Sequence, residues 1–181
     1  MGRDGEGLMP EELDAQESMV TPEMVERKGI WGDTRTSYPV ATSDIRRWAI
    51  AVYWPDRPPP IFWDDAYAAA TAWGGIIAPQ DFNPFAWPVE RPTVVERRAE
   101  GHRGNRSRMR VMNGGQTDIY GVPIRPGDAI SSRTRLRDWE ERKTRLGNTL
   151  FVFNETEWTN QHDELVKRRV STGIRYQTQG D

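Results

Sequence analysis

Cysteine is absent from the 181 residues, which excludes disulfides, thiolate metal ligands and a cysteine nucleophile and suits a reducing compartment. Histidine is almost as scarce. His102 and His162 lie far apart among polar residues, a poor basis for a metal centre, and no metal is expected. No apolar run approaches the roughly 18 residues of a membrane helix. Met1–Ser18 is acidic and polar, unlike a secretory leader, so the sequence predicts a cytoplasmic protein without a membrane partner. With a formal net charge of -2 there is no basic field to attract nucleic acid, and none is expected as a partner. Gly-x-Ser-x-Gly, phosphate-loop and dinucleotide fingerprints are also missing, which removes support for nucleophilic hydrolysis and nucleotide chemistry.

What remains is enough for one core: 36% hydrophobic residues in a chain whose length suits one domain better than two. Residues 1–20 carry six acids and few large apolar groups and read as an acidic flexible tail, leaving 21–181 as the folded domain. Thr21-Pro22-Glu23 has the cap, proline and acid of a helix start, and Gly29 ends that short helix. Arg35–Ala41 is strand-like, with Pro39 placing it at an edge or interrupting its pairing. Ser43 reads as the cap of a helix whose Ile45, Trp48, Ala49 and Val52 recur at helical spacing, ending by Trp54 because Pro55 follows. Trp48 and Trp54 read as core.

The densest stretch is Asp56–Pro79. Pro58–Pro60 predicts stiff extended chain, Asp64 and Asp65 open an alanine-rich helix reaching Trp73, and Gly74-Gly75 ends it. Ile76–Trp87 is the most apolar run and reads as a buried helix despite Pro79 and Pro84. Arg97, Arg98, Arg103, Arg106, Arg108 and Arg110 then gather in a long basic loop, which is either solvated or binds a ligand's phosphates. From Asn113 the period becomes that of strands. Gln116–Val122, Ala129–Lys143, Thr149–Thr159 and Glu164–Tyr176 form an antiparallel meander of three long strands and one shorter one, with turns at Pro123–Asp128, Leu146–Asn148 and Asn160–Asp163.

The segments PPIFWDDAYAAATAWGGIIAP, NGGQTDIYGVPIRPGDAI and LFVFNETEWTNQHDELVKR resemble, in order and spacing, the family pattern of MaoC-like acyl dehydratases. The likeness runs from about Thr21 to Arg175 and is nearest the amino-terminal dehydratase-like domain of two-hotdog enoyl-CoA hydratases. It implies an α+β fold: a single hotdog domain, a curved antiparallel sheet wrapped around a central helix. Its activity would be addition of water to an enoyl-CoA thioester, with coenzyme A entering only as part of the substrate and no separate cofactor.

The family's catalytic pair lies in an Asp-x-Asn-Pro-(Ile/Leu)-His pattern. Aligned through Pro60-Ile61, the Asp position reads Arg57, the Asn position Pro59 and the His position Phe62. None of these moves a proton, and Asp56 is one residue out of register behind three prolines. Asp64 and Asp65, adjacent in sequence, point about 100 degrees apart on a helix and suffice as helix-start acids. His162 belongs to a turn and His102 to the basic loop, where nothing orients it. The resemblance therefore implies a non-catalytic, substrate-shaping subunit whose partner is a catalytic MaoC-like hotdog subunit and whose ligand is a long or bulky acyl-CoA thioester. Trp63, Trp73, Gly75, Ile76, Phe82 and Phe85 would stand near the acyl cavity, and Arg97, Arg98, Arg103 and Arg106 near the CoA phosphates or the partner. The same aromatics also read as plain core and the arginines as plain surface. Two other readings stay open: a self-sufficient homo-oligomeric hydratase using Asp56 or an unforeseen residue, and a protein that binds acyl-CoA without processing it.

Overall fold

The computed structural model describes residues 18–88 and 109–177. Five strands form one antiparallel sheet curled into a half-barrel, in the order β1-β3-β4-β5-β2. Their ranges are β1 Arg35–Thr36, β2 Met109–Tyr120, β3 Ser131–Thr144, β4 Gly147–Thr159 and β5 Leu165–Gln177, and the helices are α1 Pro22–Arg27, α2 Thr42–Tyr53 and α3 Asp65–Ala69. This is the hotdog domain that the motifs imply. No helix among the described residues is long and apolar enough to cross a membrane.

Residues opposite one another in an antiparallel ladder share a face, so the register sorts the sheet. One face carries Trp158, Leu150 and Val152 of β4 together with all three helices: α2 and α3 contribute Ile45 and Ala68 to a cluster with Phe82, Ile130 and Val166, and α1 contributes Met24 to a second cluster with Leu150 and Val152. The opposite face carries an ion-pair lattice, Arg133–Glu157 at 2.7 Å, Arg168–Glu157 at 2.8 Å and Arg135–Glu155 at 2.6 Å. Arginine stems cover both glutamates there, and hydrogen bonds from Arg168 and then Arg133 hold the Glu157 carboxyl below its usual range.

Several sequence expectations are corrected. Helix α2 begins at Thr42 behind Ala41, with no side-chain cap, rather than behind Ser43. Strand β1 keeps only two residues; beyond it Pro39 interrupts pairing, and Val40 N instead donates to Asp128 O at 2.9 Å. Pro60 does not extend the proline run but opens a 3-10 turn, Pro60–Phe62. Helix α3 stops at Ala69, well short of Trp73, because the Thr71 hydroxyl donates to Ala68 O at 2.7 Å and accepts from Trp73 N, replacing the helical ladder with a turn. Ile76–Trp87 is extended chain and turns, as Pro79 and Pro84 deny it helical amides.

Strand β2 is as long as its neighbours. Asn113-Gly114-Gly115 is not its start but a bulge inside it, where Gly115 has a φ of +103° and its amide donates to Asn113 Oδ1 at 2.9 Å. Trp54 is 77% exposed rather than core. Residues 1–17 of the expected tail and the basic loop from 89 to 108 lie outside the described residues; Ser18 and Met19 are tied to Glu141 of β3 by hydrogen bonds of 2.6 and 2.8 Å.

Candidate functional site

The three motifs that are far apart in sequence meet at one end of the sheet. The turn before β3 is closed by Asp128, which accepts from Arg125 N at 2.8 Å, with Gly127 at a φ of +91°. Gln161, in the β4–β5 turn, donates to Asp128 Oδ1 at 3.1 Å and accepts from Ala129 N at 3.1 Å. The Arg125 guanidinium donates to Trp73 O at 2.8 Å beside the Gly74-Gly75 turn, and Ala78 N donates to Ile124 O at 2.8 Å. These hydrogen bonds tie the three motifs together.

The positions expected to hold the catalytic pair lie just ahead of α3 in the chain. Arg57 is exposed, with its guanidinium 4.4 Å from the Trp63 ring centroid, and Trp63 Nε1 donates to Pro58 O at 3.0 Å. Pro59 precedes the 3-10 turn, and Phe62 turns its ring toward Tyr53 at 6.0 Å and packs against the main core cluster. Arg57, Pro59 and Trp63, with Pro60, Asp64 and Tyr67, line an open cleft of about 520 Å³ that does not include Phe62. Asp56 is exposed at the turn closed by its own amide on Tyr53 O, and Asp64 caps α3 by accepting from Tyr67 N at 3.0 Å. His162 is exposed. Among the described residues no group of three or more acids and histidines is arranged to hold a metal.

Of the residues expected near the acyl cavity, Trp63 stands in that outer cleft. Trp73 lines a separate apolar cavity of about 100 Å³ with Ile77, Pro79, Val122, Ile124 and Trp158. Ile76 and Phe82 are buried in the core beneath it, and Phe85 sits between Trp158, 5.6 Å away, and the Arg35 guanidinium at 4.3 Å. Gly75 lies beside Arg125, with ordinary room for a Cβ at 3.8 Å from its Nη1. Arg97, Arg98, Arg103 and Arg106 fall outside the described residues.

Sequence reasoning missed the polar rows that cross the helix-bearing face. Thr134, Thr156, Arg169 and Asp118 form one row through the registers of β3, β4, β5 and β2, and Ser132, Trp158, Lys167 and Tyr120 form the next. Asp118 receives two 2.7 Å hydrogen bonds from Arg169, which hold its carboxyl below the usual range against partial burial. Burial, and then the Asp118 charge, push the Tyr120 phenol up. Lys167 is 5% exposed, and burial followed by repulsion from Arg169 lowers its pKa. Within the run Lys167-Arg168-Arg169 the period of two puts the first and third residues on this face; that alternation was the available signal.

A curved antiparallel sheet backed by short helices, with this motif junction at its end, defines a hotdog domain of the acyl dehydratase kind. Residues 27–169 match the model of the FAS1-like dehydratase domain region, and the chain belongs to that family, in agreement with its resemblance to MaoC-like dehydratases. Its fold is that of the ChsH1-ChsH2 complex from Mycobacterium tuberculosis, at a TM-score of 0.65 and 22% identity over 87% of this chain and 91% of that one. A MaoC-like dehydratase from Rhodospirillum rubrum matches at 0.53 and 19% over 82% and 94% of the respective chains. The C-terminally truncated HadBC (3R-hydroxyacyl-ACP dehydratase) complex from Mycobacterium tuberculosis matches at 0.53 and 19% over 82% and 96%. No curated protein sequence matches the chain.

Proposed function

We propose that this chain is the non-catalytic, substrate-shaping subunit of a hetero-oligomeric enoyl-CoA hydratase that acts on long or bulky acyl-CoA thioesters. The observation that carries the reading is the chemistry of the former proton-transfer positions: a guanidinium stacked on an indole at Arg57, a residue without an amide hydrogen at Pro59, and a hydrocarbon ring at Phe62. None of them activates water or protonates a carbon at neutral pH.

Two further features favour a partner. The apolar cavity of about 100 Å³ is below the roughly 300–1,000 Å³ of ordinary ligand pockets, so a bulky acyl group needs a wall from elsewhere. Strand β2 pairs with β5 alone among the described strands and exposes Val111 at 72% and Ile119 at 54%, and natural proteins cover long edges of this kind. Two Mycobacterium tuberculosis structures similar to this chain are named as complexes; the extension to this chain is ours.

The test is co-expression with a hotdog protein that has the intact Asp-x-Asn-Pro-x-His pattern, taken from the neighbouring genes, followed by mass measurement of the purified material. A stable complex containing both chains supports the reading. A homo-oligomer that ignores such a partner and hydrates enoyl-CoA by itself contradicts it.

A further inference from the structure

Lys167 lies where two cavities of the helix-bearing face meet. On one side is the apolar cavity under Trp73, on the other a polar one of about 310 Å³ bordered by Asp33, Arg35, Thr134, Thr156 and Arg169, and Lys167 and Trp158 line both. The ammonium is 3.9 Å from the Trp158 ring centroid and 6.0 Å from that of Tyr120. Among the described residues no carboxylate pairs with it and no acceptor receives its hydrogens, although its neighbours Arg168 and Arg169 are both paired. The side chain is buried while its ammonium borders the polar cavity, held by the protein only through aromatic faces whose cation–π contact returns about 0.5–2 kcal/mol, so a direct anionic partner is still wanting.

The charges around it define what would satisfy it. Arg169 is neutralised by Asp118 and Arg133 by Glu157. Arg35 and Lys167 then face Asp33, and Asp81 acts on the ammonium only at a distance, so neither carboxylate is paired with it at the mouth of the apolar slot. We propose that Lys167 anchors the carboxylate of a small amphiphilic acid, whose short apolar body enters the cavity between Ile77, Val122 and Trp158. The carboxylate supplies a direct counter-ion and accepts the ammonium hydrogens in a charge-assisted bond. An anion gives the ammonium a direct partner, and a hydrocarbon without an acceptor oxygen leaves it without one. The site is complete within this chain and does not rest on the partner subunit proposed above.

The experiment is calorimetric titration of the whole chain, without any partner, using hexanoate, hexanol and hexylamine as probes. Hexanoate is expected to bind saturably, hexanol more weakly and hexylamine not at all. Lys167→Met, which keeps the apolar stem, should weaken hexanoate by about tenfold or more, and Asp33→Asn should strengthen it by removing the opposing charge. Ile77→Trp closes the apolar slot with the ammonium left in place, so loss of hexanoate binding there supports the site even where the lysine variant is poorly folded. Absence of hexanoate binding in the wild-type chain, or equal affinity in Lys167→Met, overturns the proposal. Neither result bears on the hydratase-subunit reading, whose test requires a second chain.

Discussion

The Arg57 guanidinium sits 4.4 Å from the ring centroid of Trp63, at the position where the family pattern places its catalytic aspartate. The cation and the indole stabilise each other by about 0.5–1 kcal/mol at such an exposed site, and Trp63 in turn grips the Pro58 carbonyl. Restoring a single proton carrier is therefore expected to fail. Phe62→His should give no hydration above the wild-type chain when loss of the conjugated enoyl-thioester absorbance is followed, since the position expected to hold the aspartate still reads Arg57. Turnover gained by this one substitution would mean that another residue already supplies the second group.

The motif glycine just after β2 tolerates no side chain. A Cβ on Gly121 would stand 1.9 Å from Leu165 O and 2.8 Å from its carbonyl carbon, and backbone cannot yield as a side-chain tip does. Gly121→Ala is expected to cost about 3 kcal/mol or more in denaturant melts. Gly29→Ala meets nothing within 4 Å, although its φ of +78° should cost it about 1 kcal/mol.

Asp128 holds the junction of the three motifs through Arg125 N and Gln161 Nε2. Asp128→Ala leaves both donors without that acceptor at a buried position and should lower stability by about 1–3 kcal/mol. Amide exchange should speed up around Arg125 and Gln161 first.

The Asp118–Arg169 pair predicts a pH dependence. The folded carboxyl has a pKa below its unfolded value, so the unfolded chain binds more protons in the acidic window between the two. The contribution is then complete above the unfolded value and lost as pH falls through the folded one. Asp118→Asn should cost about 1–3 kcal/mol at neutral pH and flatten the acidic limb of a stability–pH curve from chemical denaturation.

Lys167 has the opposite sign at neutral pH. Burial lowers its folded pKa, so stability rises with pH across the alkaline window from the folded to the unfolded value, and below that window the charged form carries its desolvation cost. Lys167→Met should be neutral or stabilise by about 1–2 kcal/mol at neutral pH, and the alkaline rise should vanish. A destabilised variant with the rise intact would show that the lysine is not buried as a cation.

The fold was legible because its signals are local and agree with one another. Turn residues such as Gly127, the alternation of β4 and the order of three motifs all specify the same sheet. Errors came where side chains compete with the backbone ladder: Thr71 ended α3 early, and Asn113 turned an apparent strand start into a bulge. The assignment of Arg57, Pro59 and Phe62 to the proton-transfer positions comes from alignment alone. The polar rows through Asp118 and Lys167 were not, since they depend on the registers of β2 with β5 and of β5 with β4, and no short window of sequence encodes pairing between strands fifty residues apart.

The central claim is that this hotdog chain shapes a site whose proton transfers are made by another. Enoyl-CoA hydration measured with the purified chain, with the intact-motif partner, and with both together tests it most directly. The account predicts no turnover from this chain alone and, with a bulky acyl group, turnover by the mixture well above that of the partner. Robust hydration by the chain alone would contradict it.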